Sequence, residues 1–361
     1  MPAALDAVRG SLPVFFADRV SGGMNMKAYE IQDFGIDKLA IVDRDDPTLG
    51  DDEVLVRLKA ASLNYRDLMV VSGTYNPRMK MPAIPLSDGA GEVEAVGKAV
   101  TKWKKGDRVM PIFAQRWIGG DLTADKRRSS LGAGPQADGV LRELAAFDQE
   151  GLVAIPAHLS YEEAATLPCT AVTAWHALVV SGNVKPDETV LTLGTGGVSI
   201  YALQLAKMAG AKVIATTSSD SKGVKLKDLG ADEVINYRTN EDWDSVVLQL
   251  TGKRGVDHVI EVGGAGTLAR SVSAVRFGGH IAMIGALTGD GGFNPLSAFM
   301  KVVRLQGIFV GSRKMMEDVS RAIAVSCMHP VIDRVFDFSE AREAMHYMET
   351  GAHVGKVVIR I

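Results

Sequence analysis

The chain has 361 residues, of which 47% are hydrophobic and 23% charged, with a formal net charge of −3. This length suits two domains, and the weak net charge gives no reason to expect nucleic acid or an anionic membrane as a partner. Two cysteines, Cys169 and Cys327, argue against a disulfide framework and indicate a reducing compartment, the cytoplasm, while no apolar run predicts a membrane helix.

The amino-terminal residues 1–25 are expected to form a loosely ordered extension. Their short apolar run is poorly flanked for a secretory signal. The functional start is open between Met1, Met24 and Met26, because the first strand is expected at Lys27–Ile31.

From residue 27 to about residue 165 the pattern is one of short strands and turns. Residues 53–63 alternate in polarity as a half-buried strand does, and 89–97 and 106–112 are further strands punctuated by glycine. Residues 115–139 are polar and rich in glycine, which predicts a long surface loop. That loop either shapes substrate access, with Trp117 along the route, or is surface elaboration.

From about residue 171 to residue 311 strands alternate with helices. Such alternation requires right-handed crossovers and predicts a doubly wound parallel sheet. The strands are expected at 189–193, 212–217, 233–236, 256–262, 279–285 and 305–310, and the helices at 197–210, 221–230, 241–252 and 265–279. After residue 312 a helix and a final strand return to the first pattern. We therefore expect one domain from 26–170 with 312–361, and a second from 171–311.

The segment "VLTLGTGGVS" (190–199) places a glycine-rich turn between the first strand of this sheet and its helix. In such a turn Gly194 would make the bend, and Gly196 would let the backbone approach a pyrophosphate. Gly197 would begin the helix, Thr195 and Val198 would complete the turn, and Ser199 stands where the usual pattern has glycine. The context predicts dinucleotide binding, the alternative being a structural turn.

The end of the second strand favours NADPH over NADH. An NAD-binding protein usually has Asp or Glu there, whereas this chain has Thr217. Ser218, Lys222 and Tyr237 could instead hold a 2′-phosphate. The alternative is that the serines cap the next helix and Lys222 lies on a solvated face, and both roles are compatible.

The number and order of several motifs identify the chain as a member of the medium-chain dehydrogenase/reductase superfamily. They are "SLNYRDLMVVSGTY", "SDGAGEVEAVG", "GDRV", "AATLPCTAVTAWHAL", "VLTLGTGGVS", "LGADEVINY", "GVDHVIEVGG" and "GKVVI". The resemblance implies an α/β protein, with a chaperonin-10-like β-barrel catalytic domain, a Rossmann doubly wound parallel-sheet domain and an active site between them. It also implies an oligomer, and we expect a homodimer.

The family divides into zinc enzymes and zinc-lacking reductases, and this chain resembles the second group. Asn64 stands where the zinc members have cysteine, and Ser87 stands where they have histidine. Only Cys169 matches a zinc ligand, and catalytic zinc needs three protein ligands. We therefore expect no metal, and Cys169 is interpreted as a small buried residue near the cleft.

Zinc-lacking members of the family reduce quinones, alkenals or 2-enoyl thioesters with NADPH. Asn64 matches an asparagine that lies near the nicotinamide in quinone reductases, and Tyr75 has the spacing of the tyrosine that enoyl reductases use as proton donor or carbonyl anchor. The alternatives are an asparagine that closes a turn and a tyrosine packed on the loop before Pro77. A phenol is a neutral donor at pH 7 that can protonate an enolate. The alternative functions are a zinc-type alcohol dehydrogenase with atypical ligands and a non-catalytic NADPH-binding protein.

Further cofactor contacts are expected at the carboxyl ends of the later strands, where doubly wound folds bind ligands. Two more positions, Thr173 and Lys356, match family positions near the nicotinamide and the cleft, although a surface lysine in the last strand is an equal alternative. The strand-end candidates are Val262, Gly263, Gly285, Ala286, Leu287, Phe309 and Val310.

Overall fold

A computed structural model describes residues 25–133, 137–285, 287–288 and 292–361. The amino-terminal extension, apart from Asn25, lies outside the described residues, and so does Ala286. The strands are β1 (Asn25–Ile31), β2 (Leu39–Asp45), β3 (Glu53–Ser62), β4 (Asp88–Val96), β5 (Arg108–Pro111), β6 (Leu144–Asp148), β7 (Leu152–Ala154), β8 (Thr189–Thr192), β9 (Lys212–Thr217), β10 (Glu233–Asn236), β11 (Val256–Glu261), β12 (Val275–Met283), β13 (Arg304–Gly307), β14 (Ile332–Asp337) and β15 (Lys356–Arg360).

The helices connect these strands or cover their faces. They are α1 (Tyr65–Val71), α2 (Ala124–Arg128), α3 (Tyr161–Ala164), α4 (Val172–Trp175), α5 (Gly197–Met208), α6 (Asp220–Asp228), α7 (Trp243–Leu250), α8 (Ala265–Ala274), α9 (Pro295–Met300), α10 (Arg313–Ser326) and α11 (Ala341–Glu349). The predicted loop 115–139 therefore contains a short helix, α2.

The first sheet takes strands from both ends of the chain. Its order is β14-β15-β3-β4-β5-β7, with β6 paired to β3, and β15 lies antiparallel to β3. The inward residues of β3 are buried and the outward ones half-buried, which is the alternation that its sequence predicts. The carboxyl-terminal strands thus complete the sheet that the amino-terminal half begins.

The second sheet has six parallel strands in the order β10-β9-β8-β11-β12-β13. Every residue of β11 is buried, as expected of a central strand with helices on both faces. The strand order reverses between β8 and β11. Because ligands bind outside the carboxyl ends at such a reversal, this topology fixes where a nucleotide site can lie.

The helix predicted at 265–279 is shorter in the structure. α8 ends at Ala274, and β12 begins at the next residue, Val275, which pairs with Val256. The register then shifts, and Gly278 has φ +66 within the bulge. The β-branched valine and the glycine pair disfavour helix here, and the strand accommodates them through the irregularity.

One continuous helical stretch, Tyr161–Ser181, is long and apolar enough to cross a membrane by length and composition. It contains α3 and α4, and 67% of its most apolar window is buried inside the protein. It packs between the two sheets, in a hydrophobic cluster that includes Phe113 from one side and Ile200 from the other. Such burial is what a core helix shows.

Candidate active site

A cleft of about 660 Å³ opens between the two sheets, at the carboxyl ends of β8 and β11. One wall consists of the glycine-rich turn and the beginning of α5. The lining of the cleft also includes residues of α1, of the segment after α11 and of the start of β15. Apolar surface exceeds polar surface along these walls, as is typical of a pocket for a small organic ligand.

The glycines of the turn have three different surroundings. Gly194 has φ +72, a conformation that L side chains rarely adopt, and a Cβ on Gly196 would meet nothing within 4 Å. A Cβ on Gly197 would lie 2.6 Å from Lys356 Cδ. Ser199 is buried, and its hydroxyl donates to the Leu193 carbonyl at 2.7 Å, so a serine fits at the helix-packing position.

β9, the second strand of the parallel sheet in chain order, ends where the sequence predicts, and its last residue has no carboxylate. Thr217 is the last residue of β9, but it is buried and does not line the cleft. Ser218, Lys222 and Tyr237 do line it. Lys222 Nζ donates to the Gly351 carbonyl at 2.5 Å, and burial lowers the pKa of this lysine.

The remaining strand-end candidates converge on the other half of the cleft. Thr173 lines the cleft, and its hydroxyl donates to the Cys169 carbonyl at 2.6 Å. Gly263 does not line the cleft, because its N–H turns to the Glu261 carboxylate at 2.8 Å. The candidates that do line it here are Val262, Gly285, Leu287, Phe309 and Val310.

Both predicted catalytic residues, Asn64 and Tyr75, line the cleft, one just before α1 and one just after it. Asn64 precedes the helix, and its N–H donates to the Asp67 carboxylate at 2.8 Å, which satisfies one free donor at the helix start. Tyr75 follows the helix and is 37% exposed. Between them, the Arg66 guanidinium carbon lies 5.0 Å from the centre of the Tyr75 ring.

Lys356 is a buried cation at the floor of the cleft. Its ammonium donates to the Leu63 carbonyl at 2.5 Å and to Asn64 Oδ1 at 2.6 Å. Burial lowers the pKa of Lys356, and the nearby carboxylates of Asp88 and Asp67 oppose that effect. The side chain therefore lies within the site, and the surface alternative for this lysine is wrong.

Burial dominates the titration of the acids beneath the floor. It raises the pKa of Asp67 to about 6, although Arg66 partly opposes the shift. It also raises the pKa of Asp88, which accepts from the Ser87 hydroxyl at 2.8 Å and the Cys169 N–H at 3.1 Å. These groups form a compact buried charge network with Lys356.

The side chains at the zinc-ligand positions do not fit a catalytic zinc ion. Asn64 Oδ1 accepts a hydrogen bond from the Lys356 ammonium, and the Ser87 hydroxyl donates one to Asp88. Burial raises the pKa of the Cys169 thiol well above its usual value, whereas zinc binds a thiolate. Among the residues that the structure describes, no group of three or more His, Cys, Asp or Glu side chains could hold a metal.

Several residues of the cleft were missed by the sequence analysis. Arg127, on α2, lines the cleft, and its guanidinium carbon lies 5.6 Å from the Phe309 ring centre. Trp117, which we considered for the access route, is instead buried and does not line the cleft. The end of α11 and the segment that follows it add residues with no local sequence signal, since they reach the site only through long-range packing; they are Met348, Glu349, Gly351, His353 and Gly355.

Comparisons with known proteins cover both halves of the chain. Residues 50–157 match the alcohol dehydrogenase GroES-like domain, and residues 197–325 match the zinc-binding dehydrogenase family. A zinc-type alcohol dehydrogenase-like protein of Schizosaccharomyces pombe is 44% identical, over 86% of this chain and 91% of the relative. A 2-methylene-furan-3-one reductase of Solanum lycopersicum is 32% identical, over 92% of this chain and 79% of the relative.

A solved structure shares this architecture. The 2-octenoyl-CoA carboxylase reductase CinF, in complex with NADP and 2-octenoyl-CoA, superposes with a TM-score of 0.82 at 27% identity. The match covers 93% of this chain and 87% of that chain. Similarity of this extent, on a GroES-like domain joined to a doubly wound sheet, defines the class of protein as an oxidoreductase.

Within that class, the chain belongs to the medium-chain dehydrogenase/reductase superfamily. The predicted family and fold class are thereby confirmed.

Proposed function

We propose that this oxidoreductase is an NADPH-dependent, zinc-independent reductase of quinones or α,β-unsaturated carbonyl compounds. The observation that carries the proposal is the floor of the cleft. There the Lys356 ammonium donates to Asn64 Oδ1 at 2.6 Å. Asn64 occupies the position of a zinc ligand in the zinc enzymes, and its side-chain oxygen is thus already engaged by a cation. Without a Lewis acid, an acceptor that delocalises charge onto its own oxygen is the easier substrate.

The charge at the adenosine end of the cleft supports NADPH. Ser218, Lys222 and Tyr237 line that end, and Thr217 occupies the position where a carboxylate would repel a 2′-phosphate. The backbone at Gly196 is open for the pyrophosphate, at the amino terminus of α5.

The other half of the cleft would hold the nicotinamide against the acceptor. When bound, the reduced nicotinamide supplies a hydride. Thr173, Phe309 and Val310 line the surface on which we place the ring, and Leu287 and Gly285 lie beside them. Tyr75, exposed to the cleft, is the residue that we propose to deliver the proton.

We also propose a homodimer that forms at the edge of the six-stranded sheet where β13 lies. β13 is the last strand in the order, and exposed apolar side chains lie close to it in the sequence. Phe299 is 74% exposed and Val302 75% exposed. An unpaired edge beside exposed apolar side chains is typical of an interface.

The proposal is tested by following NADPH consumption with benzoquinone, an alkenal and crotonyl thioester, with NADH and ethanol plus NADP as controls. We expect turnover of at least one conjugated acceptor by protein that contains no zinc by metal analysis. Stoichiometric zinc with alcohol oxidation would instead establish the zinc-type alternative. Tight NADPH binding without turnover of any acceptor would establish a binding protein.

The cofactor preference is tested with Lys222→Ala. Loss of one charged contact to phosphate should raise the Kd for NADPH about tenfold to a hundredfold and leave that for NADH unchanged. Lys225→Ala is the matched control, since Lys225 lies on the same helix, does not line the cleft and approaches Asp333 at 3.5 Å. Equal effects of the two variants on NADPH would defeat the assignment of Lys222.

A further inference from the structure

Arg66 is fixed in the wall of the cleft. It is the second residue of α1, and its side chain is only 12% exposed. Its guanidinium carbon lies 5.0 Å from the Tyr75 ring centre and 4.8 Å from the Phe113 ring centre. Nη2 donates to the Leu131 carbonyl at 2.9 Å. Two aromatic rings and one hydrogen bond therefore hold the group in one orientation.

The other two nitrogens of this guanidinium are unsatisfied. Within the described residues, Nε and Nη1 are buried and have no hydrogen-bond partner. The nearest carboxylate oxygen, Asp67 Oδ1, is 3.9 Å from Nη1, beyond hydrogen-bond distance. Asp67 accepts the Asn64 N–H with Oδ2, and within the described residues its Oδ1 is also buried without a hydrogen-bond partner. Buried donors without partners are rare in folded proteins and are expected to meet a ligand or water.

The position of these donors points to the acceptor. Arg66, Tyr75 and Phe113 all line the cleft, and the Phe113 ring centre lies 5.7 Å from that of Phe309. Phe309 belongs to the surface on which we place the nicotinamide. The Arg66 side chain therefore borders the region in which we place the acceptor, next to the residue proposed as proton donor.

We propose that Arg66 is a catalytic residue that binds the carbonyl oxygen of the acceptor and stabilises the negative charge that develops there. This inference rests on the proposed reductase function. A guanidinium remains protonated throughout the working pH range, and its planar donors suit an enolate oxygen. In this way the chain itself supplies the positive charge that a metal supplies in zinc enzymes.

For an enone, a hydride and a proton add to the two carbons of the C=C bond. The β-carbon gains the hydride and forms a C–H bond, while the C=C electron pair moves towards the carbonyl and leaves an enolate oxygen bound by Arg66. The α-carbon then takes a proton from the Tyr75 hydroxyl, which regains one from water. The acceptor is reduced by two electrons, and the nicotinamide is oxidised by two.

The test compares Arg66→Met with the unchanged protein on two acceptors, an alkenone and benzoquinone. The enolate is the more basic oxyanion, so it depends more on a charged donor. We expect kcat/KM for the alkenone to fall about a hundredfold to a thousandfold, and that for benzoquinone by less than about tenfold. The Kd for NADPH should stay within about twofold, because Arg66 is placed on the acceptor side.

Chemical rescue separates this role from a structural one. In Arg66→Ala, added methylguanidine should restore alkenone reduction at least about tenfold, since it can fill the space between the rings. Arg128→Ala is the control, because Arg128 lies on the exposed face of α2 and pairs with Asp125. If Arg66→Ala does not fold, as judged by thermal unfolding, Arg66→Lys should still lose more activity on the alkenone than on benzoquinone.

Equal losses on both acceptors without rescue, or an alkenone activity within threefold of the unchanged protein, would overturn the role of Arg66. Failure of the unchanged protein to reduce any acceptor would instead overturn the proposed function. The two failures are therefore distinguishable in one set of assays.

Discussion

Gly196 and Gly197 are neighbours in the glycine-rich turn, yet their missing side chains serve different purposes. Around Gly196 the protein leaves space, so a side chain there would meet only a bound pyrophosphate. Around Gly197 the space is already filled by the stem of Lys356 and by Thr170, whose Cγ2 would lie 3.0 Å from an added Cβ. Packing therefore requires the glycine at position 197, whereas we propose that nucleotide binding requires the one at position 196.

We therefore expect opposite outcomes from two alanine substitutions. Gly196→Ala should change the free energy of unfolding by less than about 1 kcal/mol but raise the Kd for NADPH at least about tenfold. Gly197→Ala should lower the free energy of unfolding by about 1 to 3 kcal/mol, because Lys356 is held at its far end and cannot move aside freely. Denaturant unfolding and cofactor fluorescence titration measure the two effects. A Gly196→Ala protein with unaltered NADPH affinity would contradict this division.

At the scale of elements, α1 carries a buried acid at its start. Asp67 is fully buried, its pKa is raised to about 6 from an ordinary 3.8, and its carboxylate accepts the Asn64 N–H. Since the folded state holds the proton more tightly than the unfolded chain, this group stabilises the protein relatively less as the pH rises from about 4 to about 6.

The replacement Asp67→Asn removes this titration while keeping an acceptor for the helix cap. Relative to the unchanged protein, the variant should gain about 3 kcal/mol in free energy of unfolding between pH 4 and pH 7. Urea unfolding at several pH values measures the difference. Asp51→Asn, at an exposed surface position, is the control and should show no comparable gain. A flat difference curve for Asp67→Asn would show that Asp67 titrates normally.

Elements governed by local pattern were predictable from the sequence. The strands of the parallel sheet, the glycine-rich turn and most residues at the strand ends follow from periodicity and from the rule for ligand sites in doubly wound folds. The start of β12 was not, because its first residue pairs with Val256 through an irregular register that only the folded sheet reveals. Likewise, the sequence left Lys356 open between the cleft and the surface, and only the pairing of β15 with β3 shows that this lysine is buried.

The part of the site that could not be predicted is the part built by distant segments. Arg66 looks like an ordinary helix residue, and its two ring neighbours and Leu131 come from three other segments. The residues between α11 and β15 have no nucleotide-binding pattern of their own. They lie at the cleft because the Gly355 N–H donates to the Thr195 carbonyl at 2.9 Å.

At the scale of the whole molecule, we expect a dimer through the sheet edge at β13. Phe299→Glu together with Met300→Glu should convert it to a monomer at micromolar concentration, since two buried charges would replace apolar contacts. Val325→Glu is the control, because Val325 is also exposed, at 89%, but lies on α10. Sedimentation velocity measures the state. A monomeric unchanged protein, or dissociation by the control alone, would refute this interface.

The short stretch from Gly351 to Lys356 touches both ends of the cleft. Its first residue receives a hydrogen bond from Lys222, and its last residue anchors Asn64. A 2′-phosphate bound at Lys222 would compete with the Gly351 carbonyl for the Lys222 ammonium. The backbone from Gly351 continues directly into β15, which begins with the buried Lys356. A replacement of Lys222 that is made to change the nucleotide preference therefore also removes a hydrogen bond to the segment that leads to Lys356, so its effect on turnover has to be measured beside its effect on nucleotide affinity.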